Sequence, residues 1–132
     1  MDIDNRIYDD FTMALAIVNE FLVGVQRPKI SSVTISGRMT RSLGSCKTHL
    51  FAGIVGYSEI KLSKYILDDK FNRVSRVGIL IHEILHAYFP FDNHHGNWKK
   101  YADMITRNSM FTIQTYATEE DAREFVSAQN RA

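Results

Sequence analysis

Val77-Gly-Ile-Leu-Ile-His82-Glu83-Ile-Leu-His86-Ala-Tyr88 places apolar residues at Val77, Leu80, Ile81, Ile84, Leu85 and Tyr88. Steps of three and four are the period of an α-helix with one apolar stripe. The spacing predicts a helix from about Phe71 to Phe89, capped by Asp68 or Asp69 and stopped by Pro90, since a proline disfavours helical backbone in the residue before it. With the stripe turned to the core, His82 and His86 project from the other side together with Gly78, Ile79 and Glu83. A glycine in a helix interior costs roughly 1 kcal/mol relative to alanine, so a close approach by another segment or a substrate is expected at Gly78.

His82-Glu83-Ile84-Leu85-His86 is an H-E-x-x-H motif. Residues four apart in a helix lie one turn above each other, so both imidazoles can reach an ion about 2 Å from each ring nitrogen. Glu83 stands about 100° round the axis, placed to meet a metal-bound water rather than to bind the ion. The single cysteine, Cys46, excludes a Cys-based zinc site and an intrachain disulfide. A third ligand must therefore come from His or a carboxylate, and Asp92, His94, His95 and His49 are the candidates. Asp92 follows His86 by six residues, but Phe89-Pro90 stands where a glycine turn would be needed. Side chains of adjacent residues diverge, so one of His94 and His95 is expected to bind. His95 precedes Gly96 and the helix bearing Trp98 and is the expected ligand, with His94 the alternative.

Working outward, Phe11, Leu15, Val18, Phe21, Leu22 and Val25 predict an amphipathic helix over 9–25, capped by Asp9 or Asp10 and closed by Gly24 and Pro28. Ser32–Ser36, Leu50–Tyr57 and Glu59–Ser63 have β character, separated by turns such as Ser36-Gly37 and Gly44-Ser45. A third helix begins near Gly96 with Trp98, Tyr101, Met104 and Ile105 on one face. Met110–Ala117 is expected as a strand and Glu119–Asn130 as a charged terminal helix. The fold class expected is α+β, a small partly antiparallel sheet packed with an N-terminal helix and the H-E-x-x-H helix.

The chain has 132 residues, 45% hydrophobic and 23% charged, the profile of one globular domain over 1–132. No apolar run approaches the roughly 20 residues that cross a bilayer. The acidic start Met1-Asp-Ile-Asp-Asn5 lacks a basic signal-peptide region, so a cytoplasmic protein without membrane contact is expected. The net charge of +1 conceals a division: residues 1–25 hold one Arg against five acids, 26–73 nine Lys/Arg against three, and 74–132 six against seven. Within that basic middle, Arg38, Arg41 and Lys47 are candidate contacts to nucleic acid or an acidic substrate, without the regularly interleaved aromatics of a stacking surface.

Ile81-His-Glu-Ile-Leu-His86, followed by His95-Gly-Asn-Trp98 and a further helix, resembles the SprT-like metalloprotease family, which includes the eukaryotic repair protease Spartan. In that family a third zinc-binding His lies in an H-G-x-x-[FW] element, which the resemblance maps onto His95, Gly96 and Trp98. Arg41-Ser-Leu-Gly44 and Glu59-Ile-Lys-Leu-Ser63 look like the family's turn and strand ahead of the active helix, so the resemblance covers roughly residues 37–107. It implies a compact zincin-like fold and peptidase chemistry, with DNA-bound proteins among the substrates. Many members continue into a C-terminal zinc ribbon, which is not expected here because Cys46 is the one cysteine of the sequence.

The reading is a zinc-dependent endopeptidase in which Zn2+ held by His82, His86 and His95 activates water, Glu83 is the general base, and the partner is a protein or peptide. Tyr88, Tyr101 and His94 are chemically able to stabilise an oxyanion. The alternative is a non-catalytic, metal-containing module that binds nucleic acid or protein. Glu83 separates the two, because a structural site has no use for a base there.

Overall fold

The computed structural model describes residues 1–39, 42–69 and 71–114. It is an α+β fold with a small mixed sheet and three helices. In chain order the elements are β1 (Asp2–Ile3), α1 (Tyr8–Phe21), β2 (Ile30–Ser36), β3 (Gly44–Phe51), β4 (Ile54–Ser63), α2 (Arg73–Tyr88) and α3 (Gly96–Asn108). The sheet order is β1-β2-β4-β3. β1 with β2 and β2 with β4 are parallel, whereas β3 runs antiparallel to β4 and forms the edge.

The β3–β4 hairpin corrects the expected strand over Leu50–Tyr57. Ala52 and Gly53 both take positive φ, 51° and 80°, as a two-residue hairpin turn requires. The apolar run Leu50-Phe51-Ala52-Gly53-Ile54-Val55 therefore folds back on itself. Gly44-Ser45, expected as a turn, opens β3 instead.

α1 ends at Phe21 rather than at residue 25, since Gly24 at φ +86° leaves helical backbone. Neither Asp9 nor Asp10 caps it, since the N-cap position is Ile7 and has no side-chain cap bond. Asp10 is buried and accepts from Arg73 Nε at 3.1 Å and Arg76 Nε at 2.7 Å at the start of α2. At the other end, Tyr88 Oη donates to Asn19 Oδ1 at 2.6 Å. The two helices thus lie side by side in the same direction, tied at both ends.

α2 is capped by Asn72, whose Oδ1 accepts from Ser75 N at 2.8 Å, one turn later than the expected Asp68 or Asp69. From Val77 to Tyr88 every residue except His86 is buried. The expectation of one apolar stripe and one open polar face is thereby corrected: α2 is the central helix, covered on its histidine side as well. Met110–Gln114 runs over Gly78 as irregular chain, and a Cβ there would touch the Thr112 carbonyl oxygen at 3.4 Å, ordinary contact. The rest of the expected strand, the expected terminal helix and Arg41 lie outside the described residues. No helix among the described residues is long and apolar enough to cross a membrane.

Candidate metal centre

His82 and His86 share one side of α2, and their Nε2 atoms lie 3.2 Å apart. The third imidazole is that of His94, whose Nε2 is 3.1 Å from His86 Nε2 and 3.2 Å from His82 Nε2. The three nitrogens form a nearly equilateral triangle. His95 is not part of it, which corrects the expectation: it occupies the N-cap position of α3 with extended backbone and lies exposed.

The loop after α2 decides which histidine turns inward. Asn93 takes φ +52°, redirecting the chain between two tight turns, Asp92 N to Phe89 O at 3.2 Å and His95 N to Asp92 O at 2.9 Å. Asp92 is no ligand; its Oδ2 accepts from Asn97 N at 2.9 Å and Trp98 N at 3.4 Å, capping α3. Gly96, at φ +55°, lets that carboxylate approach, since a Cβ would stand 3.1 Å from Asp92 Oδ2.

Trp98 is wholly buried beneath the triad. Its ring stacks on His86 at 5.1 Å and 24° and meets His82 and His94 at 4.9 and 4.7 Å nearly edge-on. Its Nε1 donates to the His82 carbonyl at 3.3 Å. A signal for His94 was present in the sequence: an H-G-x-x-[FW] element separates His from aromatic by four residues, and four before Trp98 is His94. Following the His-Gly pair instead leads to His95, because the glycine here is shifted by one.

The residues fit a metal ion. A tetrahedral ion about 2.05 Å from each nitrogen would hold ligand nitrogens roughly 3.3 Å apart, close to the separations observed. His82 Nδ1–H donates to the Gln114 carbonyl, which leaves Nε2 as the bare lone pair that a metal takes and fixes the ring's direction. Burial and the neighbouring imidazoles hold His82 and His86 down to about 3 and about 4, and burial together with His95 lowers His94. All three are neutral near pH 7, the ligating form. Three inward lone pairs without a shared cation would repel each other.

Glu83 lies behind the triad, with Oε2 3.9 Å from His82 Nε2. Burial pushes its carboxyl up to about 8. Gly44 of β3 makes room for it: a Cβ at that position would stand 2.7 Å from Glu83 Oε2. Gly44, His82 and Glu83 also line two cavities at once. One, about 210 Å³, runs toward Val74, Gly78 and Thr112. The other, about 360 Å³, runs along β3 toward Leu50 and Phe91. The carboxylate and the imidazoles therefore sit midway along a cleft between α2 and the sheet edge.

The remaining candidates lie elsewhere. His49 Nε2 is 2.7 Å from Glu59 Oε2, and its ring stacks on Tyr57. Lys47 alternates with Cys46 and Thr48, which line the cleft, and so points from the opposite face of β3. Arg38 is exposed in the turn after β2. Neither basic residue converges on the cleft. Tyr88 is committed to Asn19, and Tyr101 stacks on Phe89 at 5.5 Å, so neither is placed to meet an oxyanion. The Cys46 thiol is pushed up to about 12 by burial and the nearby Glu83 charge, which keeps it protonated and non-nucleophilic.

The family model described as the SprT-like family matches residues 12–118. The chain belongs to the SprT-like family. No curated protein and no solved structure matches it. SprT-like membership is consistent with a metalloprotease, and the histidine cluster of this SprT-like chain is close enough to bind a metal.

Proposed function

We propose that the protein is a zincin-like, zinc-dependent endopeptidase with His82, His86 and His94 as metal ligands and Glu83 as general base. The observation that carries the reading is the convergence of three imidazole nitrogens, 3.1–3.2 Å apart, beside the buried Glu83 carboxyl in an open cleft. A zinc ion held there would polarise a peptide carbonyl and make water a stronger acid near neutral pH. The chain's own groups supply the rest. Burial alone pushes the Glu83 carboxyl up to about 8, but its ionised form would be favoured beside a cation held by the imidazoles; so ionised, Glu83 would accept a proton as water attacks and return it to the departing amine. Trp98 and the Gln114 carbonyl hold the imidazoles in direction, and the β3 edge borders the space for an extended peptide. A protein-at-DNA substrate rests on the family resemblance and on the exposed charge of Arg38 and Lys47.

Replacing Glu83 with Gln is expected to preserve folding and zinc content while lowering casein cleavage by about 10²–10⁴-fold, the usual contribution of a positioned base. Cleavage surviving in Glu83→Gln at the wild-type rate would refute the mechanism.

A further inference from the structure

The larger cavity is lined by two kinds of residue, polar groups that include His82, Glu83, His86 and His94 of the candidate metal centre, and the apolar Leu50, Pro90 and Phe91. Leu50 and Phe91 are exposed, so the apolar part forms its outer, solvent-side end. Leu50 faces Val55 across the hairpin. Val55 and Pro90 line a neighbouring hollow together, so these four residues adjoin. Leu50, Val55 and Phe91 are 46%, 42% and 69% exposed. Apolar groups left open beside a polar cleft mark a binding surface more than isolated exposed residues do.

The lining also restricts the occupant. Among the described residues, no ionisable side chain lines this cavity apart from Glu83, the imidazoles and the Cys46 thiol. Leu50, Pro90 and Phe91 offer no charge to pair with a charged substrate residue, and burying an unpaired charge against them would be unfavourable. An aliphatic or aromatic side chain would cover Leu50 and Phe91 and leave no polar group unpaired.

We propose that the outer end of this cavity receives one bulky apolar side chain of the peptide being cleaved, so that the protein selects a Leu, Met or Phe at one fixed position beside the cut. The inference rests on the peptidase reading for its substrate. It is independent of the base, because it concerns side-chain recognition rather than the chemical step. Burying one such side chain in place of alanine is expected to yield about tenfold discrimination, within the range that apolar pockets reach.

The test moves a single Leu through each position of a fluorescent ten-residue Ala/Ser/Gly peptide. Binding is measured by anisotropy with zinc-loaded Glu83→Gln protein, and cleavage by mass spectrometry with the wild type. One position should bind about tenfold more tightly than the all-small host and be cut preferentially, always at the same distance from the new terminus. Phe91→Ser and Leu50→Ser should bring the ratio toward one, while Phe91→Leu retains it. Circular dichroism confirms that the exposed-site variants fold. Cleavage by the wild type without positional preference, or a preference unchanged in both Ser variants, would overturn the proposal. Selective binding without wild-type cleavage would support the subsite while removing the peptidase reading, so the two failures are distinct.

Discussion

The two faces of β3 differ in kind. On the cleft side, Gly44, Cys46 and Thr48 border a site where three imidazoles and a carboxylate are held together against their own solvation and mutual repulsion. On the other side, exposed Lys47 stands opposite Glu59, and the half-buried Glu59 also meets His49 at 2.7 Å, an arrangement in which opposite groups are paired. The basic middle of the chain is conspicuous in the composition, yet of its candidate contacts the described Arg38 and Lys47 do not converge on the cleft. The cleft groups are few, but their desolvation and close approach are unfavourable without a ligand. Such a cost is the stronger pointer to function.

That contrast is most directly broken at His94. His94→Ala is expected to weaken zinc binding by more than the roughly 10–100-fold attributed to loss of a supporting hydrogen bond, whereas His95→Ala leaves it within about twofold. Chelator competition on both variants checks this, and the opposite ranking would move the ligand to His95. Gly44→Ala comes next, because its Cβ falls 2.7 Å from Glu83 Oε2. An overpacking cost of about 1–3 kcal/mol is expected, with lower peptidase activity from the displaced carboxylate. Denaturant unfolding and casein cleavage, measured together, should both report it.

The pH dependence of the metal-free protein sharpens the same contrast. His82 and His86 fall from 6.5 to about 3 and about 4, so below 6.5 the unfolded chain binds protons that the folded chain refuses. Stability is therefore lost as pH falls from 6.5 toward 4. Glu83 rises from 4.5 to about 8, so between those values the folded chain holds an extra proton and stability is lost as pH rises. Below 6.5 the two histidines outweigh the one carboxyl, and above it only Glu83 remains. Chelator-treated protein should show its highest Tm near pH 6.5, and Glu83→Gln should remove the decline above it while keeping the acid limb. A Tm that climbs steadily through pH 8 in the wild type would contradict the buried carboxyl. The smallest effect belongs to the open face: Lys47→Ala should change stability by no more than about 0.5 kcal/mol and leave casein cleavage unaltered.

Much of the site was legible in the sequence because it is local. An H-E-x-x-H stretch inside a helical period places two imidazoles one turn apart whatever surrounds the helix, and the structure puts His82, Glu83 and His86 on α2 as expected. Features that depend on distant partners were misplaced. Asp9 and Asp10 look like caps, but Asp10 instead answers two arginines more than sixty residues away. Leu50–Tyr57 has strand composition throughout, and only the positive φ of Ala52 and Gly53 divides it.

The amino-acid sequence by itself determined the central helix, two of the three converging imidazoles, the Glu83 between them and the absence of any cysteine-based metal set. Only the tertiary structure decided between His94 and His95. Both have the same ring chemistry and differ by one position in a loop, where side-chain direction follows backbone dihedrals rather than a repeating period. The turn at Asn93, the Asp92 cap on α3 and the stack of His86 on Trp98 select the inward ring. The cleft that opens those groups to solvent likewise exists only once β3 lies beside α2 as the sheet edge.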